Sequence, residues 1–126
     1  MEKEIVYTET APEPGSYSQA IKHGNLIFVA GQTSEDPVTN KPVHDSAREQ
    51  TERILKNIKT ILEEAGSSMK KVLRVDVYLS SMKHKPDFNE VYLKFFPENQ
   101  PARNCVAVAG IDDNLDVEIE VIAGVD

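Results

Sequence analysis

Residues 72–80 read Val-Leu-Arg-Val-Asp-Val-Tyr-Leu-Ser, and apolar and polar side chains alternate along this stretch. Successive side chains of a β-strand point to opposite faces of a sheet, so the alternation predicts a strand with one apolar face. That predicted face consists of Leu73, Val75, Val77 and Leu79; the polar face consists of Arg74, Asp76, Tyr78 and Ser80. A half-buried strand is typical of an antiparallel sheet covered by helices on one side.

The last part of the chain repeats this pattern, which predicts a second half-buried strand. Its apolar side chains are Val117, Ile119 and Val121, and its polar side chains are Asp116, Glu118 and Glu120. Further strands are predicted over residues 5–8, 18–22, 26–30 and 103–109. The second and third of these form a hairpin around His23-Gly24-Asn25, because glycine and asparagine favour a tight turn.

Two amphipathic helices are predicted among these strands. Ser46 and Glu49 form a capping box before the first helix, and Gly66 favours its end. Apolar residues at helical spacing give its buried stripe: Ala47, Ile54, Leu55, Ile58, Ile61, Leu62 and Ala65. The second helix has Pro86 in its first turn and ends before Pro97. Its predicted stripe is Phe88, Val91, Tyr92, Phe95 and Phe96.

Together these elements predict a single α+β domain over residues 1–126, because this length supports one hydrophobic core but not two. The sheet is expected to be mixed and mostly antiparallel, with both helices packed on one face. Its other face carries charged and small side chains. That face is either open to water or part of a wet subunit interface, and the sequence leaves both possibilities open.

The charge of the chain limits its partners. A net charge of −7 arises from 14 basic and 21 acidic residues, and no basic run favours nucleic acid or an anionic membrane. No apolar run approaches the ~20 residues of a membrane span, and the N-terminus lacks the apolar segment of a signal peptide. With a single cysteine as well, we expect a cytoplasmic protein. The three histidines show no metal spacing.

Arg103 is the first candidate functional residue, because a permanent cation stands there among small neighbours such as Cys105 and Ala107. Its planar guanidinium could bind the carboxylate of a small acid through two parallel hydrogen bonds. Glu118 lies at a position whose parity can bring it to the same polar face, where it could direct a water molecule. The same two residues would equally suit a structural ion pair.

Seven short motifs, which follow one another along the chain, together resemble a known protein family. They are Gly15-Ser16-Tyr17-Ser18-Gln19-Ala20, Gly24-Asn25-Leu26-Ile27-Phe28, Ala30-Gly31-Gln32, Asn89-Glu90-Val91-Tyr92, Phe95-Phe96-Pro97, Pro101-Ala102-Arg103-Asn104-Cys105-Val106 and Val117-Glu118-Ile119-Glu120-Val121-Ile122-Ala123. Together they resemble the RidA/YjgF family of 2-iminobutanoate/2-iminopropanoate deaminases over nearly the whole chain. The resemblance implies an enamine/imine deaminase that hydrolyses reactive 2-imino acids to 2-keto acids and ammonia, without metal or cofactor. It also implies a chorismate-mutase-like fold and a homotrimer with a central barrel.

Residue roles are implied by the same resemblance. Arg103 would grip the substrate carboxylate, with support from the backbone amide of Cys105, and Asn89 would border the site. Tyr17 would line the pocket and Gly31 would contribute backbone. Pockets would lie between neighbouring subunits. Glu118 would position the hydrolytic water.

The chain departs from the family pattern near this implied site. Ser16 stands where proline is common, and Ala30 where serine or threonine is common. Residues 107–112 read Ala-Val-Ala-Gly-Ile-Asp, whereas the family often has Glu-Val-Ala-Arg-Leu-Pro. These changes alter the lining and the charge of the implied pocket, so the sequence does not determine which imine substrate is preferred. Two alternatives remain: a non-catalytic, regulatory trimer that binds small acids, and an endoribonuclease or translation inhibitor, which the charge of −7 opposes.

Overall fold

The computed structural model describes residues 2–125, so Met1 and Asp126, the ends of the predicted domain, lie outside the described residues. The described residues form one six-stranded sheet and two α-helices. The strands are β1 Glu4–Val6, β2 Ala20–His23, β3 Leu26–Thr33, β4 Val72–Leu79, β5 Ala102–Ala107 and β6 Val117–Gly124. The helices are α1 Ala47–Glu64 and α2 Lys85–Phe95, and short 3-10 turns cover Met69–Lys71, Met82–His84 and Asp112–Asn114.

The strands are ordered β1-β2-β3-β6-β4-β5 across the sheet. Every neighbouring pair is antiparallel except β4 and β5, which run parallel. The prediction of a mixed, mostly antiparallel sheet is therefore confirmed. Strand β5 forms one edge, so in a single chain it pairs with β4 alone and presents a free row of backbone groups.

Helix α1 follows its sequence signals closely. The Ser46 side chain accepts a hydrogen bond from the Glu49 amide at 3.1 Å, and the Glu49 carboxylate accepts one from the Ser46 amide at 3.5 Å. The predicted apolar stripe is buried throughout. Gly66 has a φ of +84°, a conformation that glycine adopts without steric cost, just beyond the end of the helix. The capping box and the stop signal are both confirmed.

Helix α2 begins at Lys85 with Pro86 in its first turn, as predicted. Phe88, Val91 and Tyr92 are buried, and so is Phe96, which caps the helix. These side chains and the stripe of α1 pack on the face of the sheet that carries Val75, Val77 and their neighbours from β3 and β6. This packing places both helices on one face.

Strand β4 differs from the prediction at its start. Leu73 was expected in the core but is 53% exposed, while Val72 is buried. The physical reason is a register shift between Val72 and Arg74 in the pairing with β6. One extra residue in the bulge moves Leu73 to the opposite face, and the expected alternation resumes at Val75.

The boundaries of other strands also shift. The predicted strand 5–8 is Glu4–Val6, and the predicted strand 103–109 is Ala102–Ala107. In the hairpin, His23 pairs with Leu26, so the loop contains only Gly24 and Asn25. Gly24 has a φ of +60°, which explains why a two-residue turn is possible.

The second face of the sheet remains uncovered within one chain. It carries Arg74, Asp76, Tyr78 and Glu120 together with Phe28, which is 42% exposed. Neither helix in the described part of the chain is long and apolar enough to cross a membrane.

Candidate functional site

A cavity of about 510 Å³ opens beside the junction of β3 and β6. Three of the predicted site residues, Tyr17, Gly31 and Glu118, line it together. Glu35, Asp112 and Asp113 line it as well. Sequence reasoning did not assign these three acidic residues to a site, because they come from two loops whose approach depends on the folded sheet.

Gly31 and Glu118 are held together by an irregularity in β3. The pairing of β3 with β6 shifts register between Val29 and Gln32, which puts Gly31 in the bulge. Glu118 stands opposite Thr33 on the neighbouring strand. A Cβ atom on residue 31 would lie 3.2 Å from the Glu118 carboxyl carbon and closer still to its oxygen Oε2. Glycine therefore leaves the space that the carboxylate occupies.

We expect Gly31→Ala to lower any activity that depends on Glu118 by about tenfold or more, since a misplaced catalytic group commonly costs that much. The added methyl group displaces the far end of a flexible side chain rather than backbone, so the melting temperature should change little. Gly110→Ala is the matched control, because a Cβ there meets nothing within 4 Å. Equal activity in both variants would contradict this placement of Glu118.

Two acidic side chains of the cavity, Glu118 and Glu35, have raised pKa values, and burial is the main cause. Burial, followed by the charges of Asp112 and Glu120, raises the pKa of Glu118. Burial, followed by the charges of Asp113 and Asp112, raises the pKa of Glu35. A carboxyl group with a raised pKa can exchange protons with water and substrate nearer to neutral pH, which suits an acid–base catalyst.

The raised pKa of Glu118 predicts that ionisation of this side chain lowers the stability of the fold. Below the ordinary carboxyl pKa of 4.5, Glu118 is protonated in both the folded and the unfolded chain, so it does not lower the free energy of unfolding. As pH rises through its raised pKa, ionisation in the fold removes stability. Glu118→Gln should therefore melt higher than the wild type at pH 7, and the difference should vanish at acid pH. Thermal melts across pH test this, with the exposed Glu98→Gln as control.

Arg103 lies on β5 and is held by helix α2. Its Nη1 donates a hydrogen bond to Asn89 Oδ1 at 2.8 Å. Its guanidinium carbon lies 4.8 Å from the centre of the Tyr92 ring and 5.5 Å from that of Phe88, distances typical of cation–π contacts. The predicted aromatic stripe of α2 therefore has a second role, as a platform beneath this cation.

The guanidinium of Arg103 has no anionic partner within residues 2–125, since no carboxylate there forms an ion pair with it. The other arginines differ. Arg48 pairs with Asp87 and Glu90, and Arg53 pairs with Asp45. The sequence left open a structural ion pair or a site for an acid from solution, and no such ion pair forms within residues 2–125.

The expectation that Arg103 and Glu118 share the polar face is wrong within one chain. The parallel register places Arg103 beside Val75 and Cys105 beside Val77, on the helix-covered side. Glu118 points to the other side, and β4 separates its strand from β5, a distance of about 9–10 Å. Most side chains of this edge strand are small, so its composition does not indicate which alternate residues face the helices.

The predicted site residues thus form two groups. Tyr17, Gly31 and Glu118 line the cavity, whereas Arg103 and Asn89 are in contact with each other at the β5 edge, with Cys105 beside them on the same strand. In the pairing with β4, the Val108 amide donates to the Leu79 carbonyl. Backbone amides alternate in direction along a strand, so the amide of Cys105 points away from β4 toward the free edge.

Comparison with known proteins gives a consistent result. The family model described as Endoribonuclease L-PSP matches residues 8–125. A RutC family protein of Pyrococcus abyssi is 49% identical over 98% of each chain. The Reactive Intermediate Deaminase A of Arabidopsis thaliana chloroplasts is 41% identical over 98% of this chain and 66% of its own length.

Solved structures agree with the sequence relatives. E. coli TdcF, whose crystal structure contains bound serine, superimposes with a TM-score of 0.91 at 32% identity, over 98% of this chain and 99% of TdcF. The similarity thus covers the sheet, both helices and the loops around the cavity. On these matches in sequence and structure, the chain belongs to the YjgF/RidA family of Rid proteins, which the family model describes as Endoribonuclease L-PSP.

Proposed function

We propose that this protein is an enamine/imine deaminase that hydrolyses 2-imino acids, such as 2-iminobutanoate and 2-iminopropanoate, to 2-keto acids and ammonia. The observation that carries the proposal is the uncompensated guanidinium of Arg103. It is fixed by Asn89 and two aromatic rings, yet within residues 2–125 it has no carboxylate partner. An oriented cation without a protein anion is suited to bind an acid from solution.

We infer that the two groups of site residues come together from two copies of the chain. Arg103 and Glu118 point to opposite sides of one sheet, so they cannot both reach a molecule as small as 2-iminobutanoate. In a ring of identical subunits, one surface of each copy meets a different surface of the next. We propose a homotrimer in which Arg103, Cys105 and Asn89 of one protomer complete the cavity of its neighbour, with the uncovered sheet faces around a central barrel.

In the proposed reaction, Arg103 and the Cys105 amide bind the substrate carboxylate. The ionised Glu118 accepts a hydrogen bond from a water molecule and takes its proton as the oxygen attacks the C=N carbon. This step forms a carbinolamine. With the imine nitrogen protonated at the start, this carbinolamine is neutral, and Glu118 returns the proton to its nitrogen. The C–N bond then breaks as a C=O bond forms and the hydroxyl proton passes to Glu118, which leaves ammonia and the 2-keto acid. Tyr17 covers one side of the cavity.

Positioning supplies much of the proposed rate enhancement. Imines hydrolyse slowly in water without help, so the protein needs to hold water and substrate in reacting geometry rather than supply difficult chemistry. Well-oriented reactants gain up to ~7–11 kcal/mol over free encounter. The raised pKa of Glu118 adds proton exchange at the same atom. The single cysteine fits a reducing compartment, and we propose a cytoplasmic location.

A coupled assay tests this function. Threonine dehydratase generates 2-iminobutanoate in the cuvette, and decay of the imine is followed with and without the protein. Faster decay in proportion to protein concentration is the expected result. Binding of 2-keto acids without faster decay of any small 2-imino acid would favour the non-catalytic, regulatory trimer instead.

The ribonuclease alternative conflicts with the charge of the cavity. An RNA backbone is a polyanion, and it would approach a chain of net charge −7 through a pocket lined by acidic groups. We expect no RNA cleavage between low and high salt under conditions where imines are turned over.

A further inference from the structure

A long loop forms one wall of the cavity. Residues 7–19 join β1 to β2 and contain neither helix nor strand. The members of this loop that line the cavity are Glu13, Pro14, Gly15 and Tyr17. Just before them, Ala11 and Pro12 are buried, whereas residues 15–17 are exposed. The exposed wall, residues 13–17, therefore depends on its attachments for a defined position.

The side-chain amide of Gln19 attaches this loop to the fold. Gln19 is only 1% exposed. Its Oε1 accepts a hydrogen bond from the Thr8 amide at 2.8 Å, and its Nε2 donates to the carbonyl oxygens of Thr8 at 3.0 Å and Pro12 at 2.9 Å. Both amide hydrogens and the carbonyl oxygen of the side chain are thus in use. Because these groups are buried, the loss of the amide leaves unpaired polar atoms in the loop.

The bond to Pro12 closes residues 13–18 into a ring, since both ends of this segment meet at Gln19. Within the described part of the chain, residues 14–18 form no hydrogen bond or ion pair. The Tyr17 ring folds back over its own loop, because a Cβ atom on residue 15 would lie 3.3 Å from the ring carbon Cε2. The position of the Tyr17 ring therefore follows that of the loop.

Glu13 gives the wall two further contacts. Its amide donates to Asn40 Oδ1 at 2.9 Å, and its carboxylate accepts a hydrogen bond from Tyr7. Both contacts are exposed to water, where a hydrogen bond exchanges easily with the solvent. The buried attachment at Gln19 is the one that holds both ends of the segment.

The backbone of Gln19 is bonded to the opposite side of the cavity. Its carbonyl oxygen accepts a hydrogen bond from the Ala30 amide at 3.0 Å. Ala30 lines the cavity and precedes Gly31, which leaves space for the Glu118 carboxylate. One residue thus links the wall that carries Tyr17 to the segment of β3 beside Glu118.

We propose that Gln19 is a positioning residue of this site, whose side chain holds the wall at the distance from Glu118 that the substrate needs. The inference rests on the proposed function and deepens it with a residue that does not touch the substrate. The wall contacts the substrate before and during the reaction alike. Its displacement therefore weakens binding rather than the chemical step.

Gln19→Met tests this role, because methionine has a similar length but forms none of the three hydrogen bonds. We expect KM for 2-iminobutanoate to rise by about tenfold, with kcat within about twofold of the wild type. The dissociation constant of 2-ketobutanoate, which is measured without turnover, should rise in proportion. The pH dependence of kcat should not change, since the backbone bond to Ala30 stays. Hydrogen exchange should become faster at residues 13–18.

Two further variants separate positioning from stability. Ser67→Ala also removes a buried bond to a backbone carbonyl, that of Gly124 at 2.6 Å, at the opposite end of β6 from Glu118. It should lower the melting temperature and leave KM unchanged. Gln19→Asn keeps an amide beside Thr8 and Pro12, so it should fold even if Gln19→Met does not. Being one methylene shorter, it cannot reach both residues, and KM should again rise.

The outcomes distinguish this inference from the deaminase function. Wild-type KM and 2-ketobutanoate affinity in both Gln19 variants, at a temperature where they are folded, would overturn the positioning role and leave the deaminase intact. A lower kcat at unchanged KM would overturn it too, since that result indicates a displaced Glu118. Weaker 2-ketobutanoate binding in the Gln19 variants, with no imine turnover by the wild type, would support the positioning role and overturn the deaminase. A wild type that neither binds nor turns over these acids would overturn both.

Discussion

Replacing Arg103 with alanine should lower kcat/KM for 2-iminobutanoate by about 100- to 1000-fold, the range for truncating one partner of a charged, hydrogen-bonded contact. The substrate carboxylate loses both parallel hydrogen bonds of the guanidinium and the positive charge. The fold should remain, since Arg103 is partly exposed and makes no ion pair within residues 2–125. The coupled dehydratase assay measures the activity, and sedimentation measures the oligomer.

Two variants make the Arg103 result interpretable. Arg103→Lys keeps the charge but loses the planar fork and its stacking on Tyr92, so it should recover only part of the activity. Arg48→Ala removes an exposed arginine already paired with Asp87 and Glu90, and it should leave turnover unchanged. Wild-type turnover in Arg103→Ala would contradict the role of Arg103 in binding the carboxylate.

The helices were predictable because their signals are local. The capping box, the glycine after α1 and the proline at the start of α2 each act within a few residues. Apolar spacing then identified the buried stripes, and all of the α1 positions proved buried. Strand β6 was equally clear, since its alternation runs without interruption from Val117 to Ala123.

The structure overturned predictions where geometry depends on a neighbouring strand. The bulge at Leu73 arises from the pairing of β4 with β6, and no residue type in the stretch indicates it. The side on which Arg103 lies is set by its parallel register with β4. An edge strand of small residues has no apolar face, so pattern alone could not decide its orientation.

The sequence motifs indicated the residues of the candidate site, but not that these residues form two separate groups within one chain. Motif order indicated all six of the predicted positions, and Tyr17, Gly31 and Glu118 do line one cavity. The acidic residues that line the cavity were not predicted, because Glu35 and Asp113 belong to separate loops. Only the folded sheet brings these loops close together. Their charge is visible in the sequence, whereas their proximity is not.

The proposed sharing of one site between two protomers leads to the second prediction with a large expected effect. Arg103→Ala and Glu118→Gln should each be inactive alone, because every site in either ring lacks one of the two groups. A protomer with Arg103→Ala still supplies Glu118, and one with Glu118→Gln still supplies Arg103. In rings assembled at random from equal amounts, about one quarter of the sites receive both intact groups.

The decisive measurement is therefore imine turnover by rings reassembled from an equimolar mixture of the two variants. A mixture of Arg103→Ala with the double variant Arg103→Ala/Glu118→Gln serves as the control, because no protomer in it supplies the guanidinium. We expect the first mixture to recover about one quarter of wild-type kcat while the control stays inactive. Recovery no greater than in the control, in rings shown to contain both variants, would contradict a catalytic site built from Arg103 of one protomer and Glu118 of the next.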